Sequence, residues 1–197
     1  GSYKGVPNVA GFSGKDFKLT YSGNYDLNNE EWEPIGKSAS YTFNGNLDGN
    51  GKNIINLSVN ASDADYKGLF GYIIGGSIKN LNVKGNVSGK SYVGGICGYV
   101  KGANGDNYSA ITNCTFNGNV TAATSYAGGM TGYNGNYTTI DTCRVAGAIT
   151  ASASYAGGIT GTSVGTSSYR NAVTRCTNAA KVSVNTSYAG GIVGENT

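Results

Sequence analysis

The sequence predicts an all-β fold: a right-handed parallel β-helix, or β-solenoid, of about five to six coils behind an N-terminal cap. Three observations predict it. A glycine-rich box recurs along the chain. A second pattern follows each box at a correlated distance. Within that pattern apolar residues fall at every other position. A unit repeated every few tens of residues cannot bury its own apolar face and must stack on its copies.

The box is clearest as Tyr92-Val93-Gly94-Gly95-Ile96-Cys97-Gly98. It returns at Tyr126 to Gly132, at Tyr155 to Gly161 and at Tyr188 to Gly194, and a shorter form opens the series at Tyr66-Lys67-Gly68-Leu69-Phe70-Gly71. Paired glycines disfavour helix there. The second pattern is Ile78-Lys79-Asn80-Leu81-Asn82-Val83-Lys84-Gly85-Asn86-Val87, matched by residues 111–120, 140–149 and 173–182. Ile54-Ile55-Asn56-Leu57-Ser58-Val59 reads as an earlier, weaker copy. Leu81, Val83 and Val87 share one parity, as do Cys114, Phe116 and Val120. Period two means a strand with one buried face.

The second pattern begins at residues 54, 78, 111, 140 and 173, and the final glycine of the box falls at 71, 98, 132, 161 and 194. The two series lengthen and shorten together, so extra residues enter at one place. That place lies between the boxes, at 101–109, 134–139 and 163–171, which are rich in Gly, Asn, Ser and Tyr and read as loops on one edge. Residues 1–40 break the repeat, carry Trp32 and Pro34, and read as the cap. Residues 41–197 read as the solenoid. Gly1-Ser2 reads as a cloning scar, and the chain as a segment of something longer.

Composition narrows the function classes. The chain has 33 Gly, no His and only 13% charged residues, so histidine catalysis and zinc sites built on histidine are excluded. No Cys-x-x-Cys pair occurs, and neither a metal nor a cofactor is expected. The net charge is +3 with no basic run, which argues against nucleic acid. No apolar stretch is long enough to span a bilayer, so membrane insertion is not expected. A monomer is expected.

An ordered set of motifs extends this reading. Phe17-Lys18-Leu19-Thr20, Asp26-Leu27 and Trp32-Glu33-Pro34-Ile35-Gly36 precede Phe43-Asn44-Gly45-Asn46-Leu47-Asp48-Gly49-Asn50-Gly51-Lys52-Asn53-Ile54. Gly68-Leu69-Phe70-Gly71 and Ile78-Lys79-Asn80-Leu81 follow. From residue 16 to the C-terminus this order resembles the GLUG-motif repeat proteins, found in bacterial surface proteins, adhesin-like proteins and non-catalytic parts of IgA-specific metallopeptidases. The resemblance implies a solenoid displayed outside the cell, at the cell surface. It supplies no catalytic motif, and the metallopeptidase H-E-x-x-H cannot occur without histidine.

For most single residues of note, packing is the simplest role. Cys114, Cys143 and Cys176 share a repeat position with Leu57 and Leu81, and the simplest account is an inward ladder of thiols. A bridge between neighbouring rungs fits the Cα range of a disulfide, but three rungs leave one thiol over. Asn56, Asn80 and Asn113 share a register with Thr142 and Arg175 and read as a corner stack. Asp63 with Asp65 reads as solvated loop charge, since calcium needs many oxygens. Tyr92, Tyr126, Tyr155 and Tyr188 share a register, and their parity with Ile96 and Met130 favours packing over sugar stacking. Tyr99, Tyr108, Tyr133, Tyr137 and Tyr169 read as loop tyrosines. A ligand site is expected on the loop edge, at Tyr108, Tyr137, Tyr169 and Arg170. The expected function is a non-enzymatic surface module that binds a host or matrix glycan or protein. A spacer or stalk in a larger surface protein is the alternative.

Overall fold

The alternating apolar residues of the second pattern become strands whose inward positions stack directly on one another. The computed structural model describes residues 14–166, 168 and 170–197. Its first elements, β1 (Asp16–Lys18) and β2 (Tyr25–Asp26), belong to an irregular leading turn. The coils that follow are made of β3 (Asn46–Ala61) and β4 (Phe70–Ile74); then β5 (Ser77–Gly89), β6 (Val93–Gly94) and β7 (Cys97–Lys101). Next come β8 (Ser109–Thr112), β9 (Thr115–Ala122), β10 (Ala127–Gly128) and β11 (Thr131–Asn134). The fourth coil has β12 (Thr138–Asp141), β13 (Arg144–Ala151), β14 (Tyr155–Gly157) and β15 (Thr160–Ser163). The last has β16 (Ala172–Thr174), β17 (Thr177–Asn178), β18 (Lys181–Val184), β19 (Tyr188–Gly190) and β20 (Val193–Asn196). The result is a β-solenoid of about six turns with no helix among the described residues.

Three sheets run along the rod. A broad one carries β3, β5, β8, β9, β12, β13 and their last-coil counterparts. A narrow one carries β6, β10, β14 and β19, and a third carries β4, β7, β11, β15 and β20. Every pairing between these strands is parallel. Val83, Phe116 and Val145 form one inward column, and Val87, Val120 and Ile149 another. All six are buried.

The broad sheet turns a corner between β8 and β9 and at the equivalent point of neighbouring coils. There Asn80, Asn113, Thr142 and Arg175 adopt φ of 55°, 50°, 54° and 50°. Asn tolerates this left-handed region through local hydrogen bonds. Its amides form a ladder: Asn113 Nδ2 donates to Asn80 Oδ1 at 2.8 Å, and Asn80 Nδ2 donates to Asp48 Oδ1 at 3.0 Å. Where Thr and Arg take over, Asp141 holds the corner by accepting from Thr174 Oγ1 at 2.7 Å and from the Arg175 guanidinium.

Asn56 does not belong to this column. It donates to Asp26 Oδ1 at 2.9 Å, on the leading turn. Ile54 pairs with Val83 and Leu57 with Gly85, whereas the partner of Ile78 is Leu47. The letters Ile-x-Asn-Leu-x-Val at residues 54–59 are therefore out of register with residues 78–83. Leu57 accordingly does not share the cysteine position. The physical reason is a pair of register shifts in β3, between Asp48 and Lys52 and between Ile54 and Leu57, which insert residues that the periodic pattern hides.

The glycine box makes the sharp corner between the narrow and third sheets, and each glycine has its own reason. A Cβ on Gly128 would lie 2.0 Å from the carbonyl of Thr131 in the same turn. One on Gly129 would lie 2.4 Å from Gly158 O of the next coil. One on Gly132 would lie 2.4 Å from Val93 N of the preceding coil. The residue between the second and third glycines compensates by pointing inward, and Ile96, Met130 and Ile159 are fully buried.

Residues 14–45 follow the path of a coil over the first regular turn. Parallel pairs link Asp16 to Asn46, Tyr25 to Ile54, Ile35 to Phe70 and Phe43 to Ile73. Trp32 Nε1 donates to Leu69 O at 3.0 Å, and Phe43 packs on Phe70 with ring centroids 5.0 Å apart.

Ile159→Ala removes a side chain with no exposed surface from a column closed above and below. It should cost about 2–5 kcal/mol in urea unfolding. A loss under about 0.5 kcal/mol, the range of surface changes, would refute the inward assignment.

Candidate functional site

The largest length changes enter where the third sheet returns to the broad one. Residues 102–108 link β7 to β8, residues 135–137 link β11 to β12, and residues 164–171 link β15 to β16, all along one edge. Of the expected site residues, Tyr108 and Tyr137 meet there, with ring centroids 5.6 Å apart and planes at 88°. Tyr108 is 56% exposed, while Tyr137 is half-buried with φ 60°. Arg170 is exposed on the next loop, and Tyr169 lies outside the described residues.

Beneath this edge is a polar floor. Asn134, Ser109, Thr138 and Ser163 are all buried. Asn171 Nδ2 donates to Val164 O at 2.6 Å and to Asn134 O at 3.2 Å, while its Oδ1 accepts from Thr138 N at 3.3 Å. Ser109 Oγ donates to Lys101 O at 2.6 Å, and Asn134 Nδ2 donates to Ser163 Oγ at 3.2 Å. These side chains tie the loop bases to the backbone, as a buried bend requires. Asn134 Oδ1, Asn136 Oδ1 and Thr138 Oγ1 have no protein partner among the described residues.

The second feature is aromatic. Tyr66, Tyr92, Tyr126, Tyr155 and Tyr188 stack in one column, with successive centroids 5.1, 5.0, 5.6 and 5.8 Å apart. Tyr72, Tyr99 and Tyr133 stack in a second, at 4.3 and 4.5 Å. The columns touch edge to face, as at Tyr92 and Tyr133, 5.7 Å apart. Tyr99 and Tyr133 thus stand on strands β7 and β11, and the expectation that they belong to loops is corrected. Tyr92 is half-exposed although Ile96 is buried, because the glycine corner between them and a φ of 56° at Tyr92 break the alternation. Each ring face covers its neighbour, so the strip presents edges and hydroxyls. Sugar stacking needs an open ring face, and between Tyr66 and Tyr155 the stacking leaves none; Tyr188, at the end of the column, is 65% exposed.

Burial pushes the Tyr72, Tyr99 and Tyr133 phenols up, Tyr133 to about 12; neighbouring tyrosines add to it at Tyr99 and Tyr133, while the hydrogen bond with Tyr99 works against it at Tyr72. The thiol column is likewise inert. Cys114 and Cys143 are fully buried, and all four cysteines are free. Cys143 Sγ donates to Asp141 O at 3.3 Å, and Cys176 Sγ to Thr174 O at 3.1 Å. The adjacent Cys114 thiol, with burial, pushes Cys143 up to about 12, and burial alone raises Cys97. Thr131 and Thr160, at equivalent positions of successive boxes, are buried and bonded to each other at 3.0 Å.

The carboxylates serve corners. Asp26 accepts from Asn28 N at 2.8 Å, Asp48 accepts from Asn50 N at 2.8 Å, and Asp65 accepts from Ser91 N at 3.1 Å. Hydrogen bonds from Thr174 and then Arg175 hold the Asp141 carboxyl below its ordinary value. Among the described residues no cluster of three or more His, Cys, Asp or Glu side chains is placed to hold a metal. None of their helices is long and apolar enough to cross a membrane.

The polar floor was not visible in the sequence. Asn134, Thr138 and Asn171 look like ordinary loop residues until the coils bring them together. The Tyr72, Tyr99 and Tyr133 spacing, which follows the box, was the signal that could have placed those rings on strands.

Comparison with known proteins gives the following. No protein-family model matches the sequence. A protein of Evansella cellulosilytica, whose name records glycine richness and an inferred membrane location, is 39% identical over 84 residues, 42% of this chain and 9% of that protein. Halomucin of Haloquadratum walsbyi is 28% identical over 151 aligned positions, covering 51% of this chain and 2% of halomucin. The chain therefore spans less than a tenth of either relative. A crystal structure from Bacteroides ovatus, described as an inferred immunoglobulin A1 protease, superposes with a TM-score of 0.69 at 18% identity. The match covers 93% of this chain and 68% of that one, and at this identity it establishes a shared fold.

Two measurements test the buried columns. Thiol counting should find close to four reactive groups in denaturant and at most slow reaction of Cys176 in the native protein. Two groups in denaturant would mean a bridge. For the tyrosines, the unfolded phenol titrates near about 10 and the folded one higher, so ionisation favours unfolding. Their contribution to stability should be complete below about pH 10 and lost as pH rises through the Tyr133 value of about 12. Phenolate absorbance should show a late phase that coincides with loss of the fold. Titration of all 15 tyrosines near their ordinary value with the fold intact would refute the burial argument.

Proposed function

We propose that this chain is a non-catalytic, surface-displayed module outside the cell whose loop edge binds a host or matrix ligand, either a glycan or a protein. The observation that carries the reading is that the largest length changes between coils fall on one edge of the rod, between the third sheet and the broad one. Loops held on a rigid scaffold are where binding residues concentrate. Tyr108 and Arg170 stand exposed on that edge, and both types give large contact area. The GLUG-like motifs point the same way, as do relatives named as a membrane protein and as halomucin. A solved neighbour described as a protease does not bring catalysis with it, because the likeness is one of fold. Asp26, Asp48, Asp65 and Asp141 are engaged in turn and corner hydrogen bonds, which supports a structural rather than a catalytic role for them.

A spacer role is the second reading. It is favoured by the tyrosine columns, whose faces are used up in stacking and whose regular contacts suit a stiff rod.

A glycan-array and matrix-protein screen separates the two. The binding reading expects a specific ligand whose retention is lost when residues 102–108, 135–137 and 164–171 are replaced by short Gly-Asn turns, with the circular dichroism spectrum unchanged. Binding that survives all three replacements removes the loop edge from the site. Absence of any ligand assigns the chain to the spacer. Polysaccharide turnover abolished by Asp106→Asn would overturn both.

A further inference from the structure

The two ends of the rod are built on opposite principles. At the N-terminal end, residues 14–45 depart from the repeat and cover the first regular coil with Leu19, Leu27, Trp32 and Ile35. At the other end the last coil keeps interior residues on its outer face. We propose that this face, formed by β16 to β20, is a docking surface for one further parallel coil of the same repeat.

Gly191 carries the argument. The second glycine of each box is required by the carbonyl of the following coil. A Cβ would lie 2.5 Å from Gly129 O at Gly95, 2.4 Å from Gly158 O at Gly129, and 2.1 Å from Gly191 O at Gly158. At Gly191 a Cβ would meet nothing within 4 Å, and its backbone does not occupy the left-handed region. Its companions do have reasons inside the chain: a Cβ would lie 1.7 Å from Val193 O at Gly190 and 2.5 Å from Gly161 O at Gly194. Glycine costs conformational entropy that alanine does not. Position 191 is glycine for a backbone that approaches from outside.

Neighbouring positions agree. Ile192 continues the column of Ile96, Met130 and Ile159, yet it is 37% exposed where those are fully buried. Tyr188 stacks on Tyr155 at 5.8 Å and is 65% exposed, its other face uncovered. Val182 continues the column of Val120 and Ile149 and is only half-buried. The edges of three parallel sheets end here together, and an open edge is a template for another strand.

The occupant is set by polarity. A coil running parallel, with its glycine-corner carbonyl over Gly191, repeats a contact already made at Gly95, Gly129 and Gly158. A second copy of the chain related by a two-fold axis would bring antiparallel strands, which do not place a carbonyl in that way. A head-to-tail copy meets the irregular leading turn.

The test compares the chain with a version that carries a copy of residues 135–163 appended after Asn196, each with and without Gly191→Ala. Gly191→Ala should leave the 197-residue chain as stable as before or slightly more so. The appended coil should raise the thermal midpoint and slow amide exchange in β19 and β20 by at least about tenfold. Gly191→Ala should abolish that gain, while a scrambled appended segment should not produce it. The proposal is overturned if the appended coil gives no protection, if Gly191→Ala destabilises the 197-residue chain, or if the extended protein tolerates it. Sedimentation showing a dimer of the 197-residue chain, with β20 protected, would assign the face to a second copy and overturn it as well.

Discussion

Backbone lies directly on backbone in this molecule, one coil above the next, at the spacing of neighbouring strands. That spacing is too small for any side chain to intervene at the glycine corner, where a carbonyl of one turn lies over the glycine of the turn before. It also forces equivalent side chains into contact with their own kind. The columns of tyrosine, asparagine, thiol and branched aliphatic groups follow from it. Each column must consist of groups that tolerate themselves as neighbours, which explains the low charge of the chain.

The same constraint decides what could be read from the sequence. The parity of β5, β9 and β13 was legible because in-register stacking repeats the same letters at the same positions, and the place of the inserted loops was legible because two series of repeats lengthen together. The first copy was misread because the register shifts of β3 carry no apolar signature: Ile54-Ile55-Asn56-Leu57 spells the motif while Leu47 occupies its place. Tyr92 was grouped with Ile96 because alternation was carried across a corner that breaks it. Of the candidate site, Tyr108 and Arg170 were found as exposed loop residues. The floor of Asn134, Thr138 and Asn171 was not legible, since the hydrogen bonds that join these three residues span 33 or 37 positions of the chain.

Substitutions within a column show how the fold absorbs exceptions. At the left-handed corner, Thr142 and Arg175 replace asparagines and lose the amide ladder. Asp141 sits one residue away and restores the hydrogen bonds from the flank. In the valine column Asn178 follows Val145, and it bonds Ala180 N at 2.8 Å through its own side chain. In both cases the polar group is satisfied within its own coil or the one beside it, as nearest-neighbour architecture requires.

The orientation of the strands has a mechanical consequence. They lie across the long axis, so tension applied between the two ends of the rod acts along the hydrogen bonds of each coil–coil interface. Such a load is borne by one interface at a time, and the turns should peel away singly, each paying out its own length of chain. Under load the rod would behave as a tether that lengthens in steps, and its loop edge would stay folded on whichever turns had not yet been released.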